Sequence, residues 1–218
     1  MRSPALRALL SSGTLVKVPK GDSLPSSDSR QQVALIKSGF VKRFLITEDG
    51  SLGIQIIYGR GDFFPLTLLY KLLLDQDIYT GPEVYHYKAM TDCQLYTMRP
   101  EEFVKKVQEN PRIYRDLFSE AGQHLASCIH RLENMTMPNA EKRVAHILLF
   151  YGQKYGHDET NGVKLTLNMT QQDIADILSV TRETVSAAMR ELKQAKLITG
   201  SREIVIHDIQ KLQDHAYS

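Results

Sequence analysis

Between residues 13 and 98 apolar positions come in short runs, some alternating with polar ones, and the runs are parted by glycine turns. LVKV (15–18), QVALIK (32–37), FVKRFLI (40–46), LGIQIIY (52–58) and EVYHYKAM (83–90) are rich in β-branched and aromatic residues, with KGD, SGF, EDGS and GRGD between them. Short strands at this spacing predict a β-sandwich or barrel. PSSDSRQ (25–31) is polar and without period, and reads as a loop. PLTLLYKLLLDQDIYTGPEVYHYKA (65–89) starts with helix spacing and ends in a tyrosine-rich alternation. It predicts a short helix over 66–74, a loop through Gly81 and Pro82, and a strand from Val84.

After Arg99 the apolar period lengthens to about 3.6 residues, the repeat of a helix. Pro100 followed by Glu101 and Glu102 is a favourable first turn: proline loses no needed N–H there, and the acids meet the positive end of the helix dipole. Tyr114, Ala121, Cys128 and Met135 share one heptad position and Phe118, Leu125 and Leu132 the other, an unbroken seam over 114–135. That seam describes a dimerisation helix, or else a helix packed within one subunit; its narrowness and its period near 3.5 residues favour the dimer. Pro138 breaks the run, and NAEKRVAHILLFYGQKYG (139–156) opens a second helix with Asn139 as cap and Gly156 as stop.

Residues 170–198, TQQDIADILSVTRETVSAAMRELKQAKLI, predict two helices joined by a turn too short to be anything but sharp. Thr170 caps the first, with Asp173 in a capping-box position, and Thr181 caps the second. Small Ala175 lets the helices approach, and Ile174, Leu178, Val180, Val185 and Leu192 fill the space between them: a helix-turn-helix. Arg182, Glu183 and Ser186 stand near the start of the second helix as candidate base contacts, because arginine can bond guanine O6 and N7 together and glutamate can accept from cytosine N4. Thr170, Gln171, Thr181, Thr184 and Arg190 are candidate phosphate contacts, which orient without reading sequence. Lys193 and Lys196 follow, and LNM (167–169) and LITGSREIVIHD (197–208) read as strands of a wing.

Charge bears on this only locally. The 27 Lys and Arg against 25 Asp and Glu give a net charge of +2, too small for a global field that draws the chain to nucleic acid or to an anionic membrane. The cysteines, Cys93 and Cys128, are far apart and fit neither a disulfide framework nor a metal knuckle, so a reducing, cytoplasmic setting is expected. No run is long and apolar enough to span a bilayer and the N-terminus has no secretory core, so no membrane partner is expected.

In sum the residues describe an α+β chain: a β-rich part over 1–110, a central helix over 111–137 and a winged helix-turn-helix over 138–218. Together with KGDSL (20–24), LIKSGFVK (35–42), GDFF (61–64), AMTDCQLYTM (89–98), EKRVAHILL (141–149) and VTRETVSAAMREL (180–192), this order resembles the CRP/FNR family of bacterial transcription regulators over nearly the whole chain. The resemblance implies a jelly-roll sensor domain of the cyclic-nucleotide-binding type. It also implies a homodimer through the central helix, and a near-palindromic operator in double-stranded DNA. The family's recognition helix is similar to Arg182-Glu183-Thr184, but where its pattern continues with another arginine this chain has Ala187.

The resemblance also places a cyclic-nucleotide cassette, and here the chain departs from it. Pro65 and Leu66 stand where a Gly-Glu pair should hold the ribose, and Glu83 and Val84 where Arg-Ser should hold the phosphate. Proline removes a donor, leucine cannot bond a ribose, and Glu83 sets a carboxylate against the phosphate, so cyclic AMP in the family's pose is not expected. Too few cysteines are present for an iron–sulfur cluster. His86, His124 and His130 leave haem open without forming a ligand motif, and Cys128 on the seam leaves a thiol switch open beside a plain packing role. An enzyme on the β-rich half would need clustered histidines on adjacent strands, whereas His86 is alone before residue 124. No catalytic residue, metal site or cofactor is therefore assigned. An unidentified small effector and an effector-independent regulator both remain open, with RNA polymerase as the expected protein partner.

Overall fold

The computed structural model describes residues 4–24, 32–48, 50–65, 73 and 85–218. They divide into two compact units. One holds the described residues up to Ile46 together with Ile54–Leu125; the other holds Thr47–Gly53 and Ala126–Ser218. The division falls inside the long helix.

The first unit runs α1 (Pro4–Ser11), β1 (Thr14–Val18), β2 (Ser23–Leu24), β3 (Val33–Ser38), β4 (Val41–Ile46), β5 (Leu52–Tyr58), β6 (Phe63–Phe64), β7 (His86–Ala89), β8 (Cys93–Met98), α2 (Pro100–Glu109) and the start of α3 (Arg112–Thr136). Its strands form two four-stranded sheets, ordered β1-β8-β3-β6 and β2-β7-β4-β5. First thus pairs with last, second with seventh, third with sixth and fourth with fifth: the nested antiparallel pairing of a jelly roll. The strands expected within 15–18, 32–37, 40–46 and 52–58 are present, and of the one expected from Val84 the described part begins at His86. QVALIK reads as an apolar run and not as an alternation because β3 is covered on both faces. Val33 and Leu35 pack with α1, α2 and α3, while Ala34 and Ile36 face the interior of the roll.

That interior is aromatic. Phe64 stacks on Tyr87 with centroids 4.9 Å apart, and Tyr58 tilts against Phe64 at 4.9 Å. The Arg43 guanidinium lies over the Tyr85 ring, 4.4 Å from its centroid, and bonds the Tyr87 hydroxyl. Burial pushes the Tyr87 phenol up, with Arg43 pulling the other way. Tyr87 is core and Tyr85 packs beside it, while Tyr79 lies outside the described residues. So do the 25–31 loop, Leu66, Glu83, Val84 and, apart from Leu73, the 66–74 helix. Pro65 is buried at the end of β6, behind a cis Phe64–Pro65 peptide. At the β3–β4 turn, Gly39 has φ +90°, and a Cβ there would lie 2.5 Å from Asp92 O and 2.6 Å from Cys93 Sγ, so that turn admits only glycine.

Helix α1 was not expected from MRSPALRALLSS. Eight residues are marginal as an isolated helix, and this one is capped by tertiary structure: Asp116 Oδ2 on α3 accepts from the N–H groups of Ala5 (2.9 Å) and Leu6 (3.0 Å). Leu6 and Leu10 then complete a core with Phe103, Val107, Ile113 and Leu117.

The second unit continues from α3 through α4 (Ala140–Tyr155), β9 (Gly156–Glu159), β10 (Gly162–Leu165), α5 (Gln171–Leu178), α6 (Arg182–Gln194), β11 (Ile198–Thr199), β12 (Val205–Ile206) and α7 (Ile209–Tyr217). Asn139 caps α4 by accepting from Lys142 N–H, and Gly156 ends it. Most of the middle of α4, from Val144 to Gly152, is buried, so this helix is the spine of the unit. The sheet order is β11-β12-β10-β9. LITGSREIVIHD supplies β11 and β12 as expected. LNM, however, is not a strand: Met169 N–H bonds Leu167 O in a tight turn that buries both side chains, and the strand that precedes the motif is GVKL. The alternation in LNM has the period of a strand, but the ladder partners lie a few residues earlier. Among the described residues no helix is long and apolar enough to cross a membrane.

Candidate nucleic-acid interface

The helix pair is built by local code. Thr170 Oγ1 accepts from Asp173 N–H while Asp173 bonds back to the Thr170 N–H at 3.0 Å, a complete capping box. Helix α5 ends at Ser179 in the left-handed region (φ 52°), and Val180 N–H bonds back to Ala175 O. Arg143 on α4 donates to Leu178 O at 2.6 Å, fixing the end of α5 against the spine. Thr181 then caps α6, accepting from Thr184 N–H at 3.2 Å. Ile174, Ala175, Leu178, Val185 and Leu192 are buried between the helices, and Val180 is half-buried.

With Val185, Ala188, Met189 and Leu192 turned inward, α6 offers its other side to solvent. Glu183, Ser186, Ala187 and Arg190 follow the i, i+3, i+4, i+7 spacing of one helical face. Glu183 and Arg190 are exposed and Ser186 is half-buried. Arg182 is exposed at the first position of the helix, on the rim of an open cleft of about 510 Å³. Thr170, Gln171 and Gln172 line the α5 side of that cleft, and Ser201 and Arg202 of the wing close it. Arg182, Thr170 and Gln171, expected as nucleic-acid contacts, are thus brought together. The Thr184 hydroxyl is 3.0 Å from that of Thr181, so both stand at the helix start, already bonded to each other.

Gln172, Ser201 and Arg202 were missed from the sequence. The signal for Arg202 is its place beside Gly200 (φ +80°) in the β11–β12 turn, where a basic residue stands at the tip of a wing. Lys193 is engaged in holding that wing, its Nζ donating to Ser201 Oγ at 2.8 Å. Across the sheet Lys164 Nζ and Glu203 Oε2 pair at 2.8 Å; their hydrogen bond raises the lysine and lowers the glutamate.

The apolar seam lies on α3. Phe118 is 82% exposed in the single chain, Leu125 62%, Leu132 64% and Met135 73%; Tyr114 and Cys128 are also exposed and Ala121 is half-buried. Ile129 adds to this face. Ile113 and Leu117, at the edge of the seam, and Asp116, behind it, are buried. Apart from half-buried Ala121, the seam residues are exposed in the single chain and are not part of its core. Of the histidines considered for haem, His86 stacks on Phe44, His124 lies beside Tyr58, and His130 packs against His146 and Phe150.

A jelly roll, a long helix with an uncovered apolar stripe, and a capped helix pair with a wing define a protein of the transcription-regulator class. A family model described as the Crp-like helix-turn-helix domain matches residues 142–215. The CRP-like cAMP-activated global transcriptional regulator of Mycobacterium tuberculosis is 23% identical over 214 residues, 97% of this chain and 92% of that protein. The HTH-type transcriptional regulator ArcR of Staphylococcus epidermidis is 26% identical over 176 residues, 79% of this chain and 72% of its own. Among solved structures, FixK2 of Bradyrhizobium japonicum superposes with a TM-score of 0.74 at 22% identity, covering 92% of this chain and 96% of that one. A CooA mutant from Carboxydothermus hydrogenoformans also gives 0.74, at 23% identity, covering 96% and 90%. Residues 142–215 thus form a Crp-like helix-turn-helix domain, and over nearly its whole length the chain is similar to transcription regulators of the CRP/FNR type.

Proposed function

We propose that the chain acts as a homodimer that pairs through α3 and binds an operator of two inverted half-sites, with no cyclic nucleotide required. The observation that carries this is the union of an exposed apolar stripe on α3 with an exposed, capped α6 presenting Arg182 and Glu183. Each half-site is read by Arg182, Glu183 and Ser186, while Thr170, Gln171, Thr181, Thr184 and Arg190 hold phosphates, joined by Arg202 of the wing. Pro65 has no N–H to offer a ribose or phosphate, and that supports cyclic-nucleotide independence although a relative is named as cAMP-activated. RNA polymerase is the proposed protein partner and the cytoplasm the proposed setting.

Selection from a random duplex pool, run with and without cyclic AMP, tests this reading. The expected product is one inverted repeat, enriched equally in both arms. Enrichment only with cyclic AMP contradicts the reading of the cassette, and no enrichment in either arm contradicts operator binding.

A further inference from the structure

The last turns of α3 and the middle of α4 bring together a group of side chains that DNA binding does not use. His130 and Glu133 stand three residues apart on α3, and His146 faces them from α4, only 1% exposed. Their ligand-capable atoms all lie within 4.8 Å of one another. Glu133 Oε2 is 3.5 Å from His130 Nδ1 and 3.8 Å from His146 Nε2. Phe150 packs on the His130 ring, with centroids 5.0 Å apart.

We propose that His130, Glu133 and His146 form a binding site for a first-row divalent transition metal, of which zinc is the simplest case. Tetrahedral zinc with bonds of about 2.0–2.1 Å to nitrogen and oxygen sets its ligand atoms about 3.3–3.4 Å apart. The two separations from Glu133 are within a few tenths of an ångström of that. Two imidazoles and one carboxylate suit zinc, cobalt or nickel, whereas magnesium and calcium call for oxygen throughout. Three protein ligands leave the fourth position to solvent.

A second observation points the same way. His130 Nδ1 is buried and makes no hydrogen bond among the described residues, a cost that folded proteins rarely carry without use. A metal would give that lone pair its partner. At His146 the exchange is more demanding, because Nε2 lies 3.0 Å from the Tyr217 hydroxyl and Nδ1 lies 3.3 Å from Asn134 Nδ2. Metal at Nε2 displaces the phenol and leaves the ring proton on Nδ1, so Asn134 must turn its amide oxygen towards it. That turn gives up the 2.8 Å bond from Asn134 Nδ2 to Arg143 O, and in return supplies the outer hydrogen bond that metal-bound imidazoles commonly make. Occupied, the site would fasten the end of α3 to α4.

The test is titration of the untagged full-length chain with Co²⁺, read by its visible d–d absorption, followed by displacement with Zn²⁺. We expect the four- or five-coordinate spectrum to saturate at one ion per chain. His130→Ala and Glu133→Gln, both on the more accessible side of the cluster, should each weaken binding by at least about tenfold. Cys128→Ser should keep the spectrum. No DNA enters this measurement, so its result is independent of the operator reading. Absence of a saturable spectrum, or a spectrum that neither His130→Ala nor Glu133→Gln alters, would show that the imidazoles only pack against each other and against Phe150.

Discussion

Leu125→Asp is expected to turn the dimer into a folded monomer and to abolish tight operator binding with it. Leu125 sits near the middle of the exposed stripe, flanked by Phe118, Leu132 and Met135. Each large apolar side chain buried in a partner contributes roughly 1.5–3 kcal/mol, and a two-fold interface loses it twice. The aspartate adds the cost of a carboxylate placed against apolar surface without a partner. A loss of 3 kcal/mol or more corresponds to a dimer dissociation constant raised by at least about 100-fold. Because Leu125 is 62% exposed in the single chain, helix content and Tm should change little. Sedimentation at micromolar concentration separates the outcomes: a monomer of native helix content is expected, and a dimer unchanged by the substitution would contradict pairing through α3.

The second large effect is expected at Arg182. Arg182 is exposed at the start of α6 on the rim of the cleft between α5 and the wing, where a major-groove edge would meet it. A bidentate contact to guanine discriminates by about 1–3 kcal/mol, so a dimer that loses one in each half-site should lose about 2–6 kcal/mol. Arg182→Ala should therefore weaken binding to the selected operator by at least about 30-fold. Binding to unrelated duplex, which depends on charge and salt, should fall far less. Arg182→Lys keeps the charge but not the planar fork, so it should restore non-specific affinity without restoring discrimination. Competition titrations against specific and unrelated duplexes measure both quantities. An equal loss on both would reassign Arg182 to phosphate contact.

The parts legible in the sequence are those that short-range chemistry settles. Thr170 with Asp173 as a box, and Thr181 and Asn139 as caps, read correctly from residue type and position, and each cap accepts from the N–H three residues on. The α3 stripe was legible because a heptad pattern is a property of one helix, and the jelly roll followed from strand count and the family resemblance.

What escaped was fixed by residues distant in the chain. Helix α1 depends on Asp116, more than a hundred positions away. β2 and β6 are two-residue strands that carry no period at all. GVKL and LNM are both short apolar segments, and only pairing with β9 and β12 tells them apart. His130, Glu133 and His146 looked like unrelated residues because the break at Pro138 hides the return of α4 along the end of α3.

The central claim, that one dimer reads two inverted half-sites from one face of the duplex, is most directly tested by changing their separation. Two-fold related recognition helices reach successive major grooves about 34 Å, or about 10–10.5 base pairs, apart. Fluorescence anisotropy should be compared for the selected operator and for a variant with about half a helical turn, roughly 5 base pairs, inserted at its centre. Affinity should fall to that of a single half-site, because the second half-site is carried to the opposite face of the DNA. Equal affinity for the two duplexes would contradict the claim.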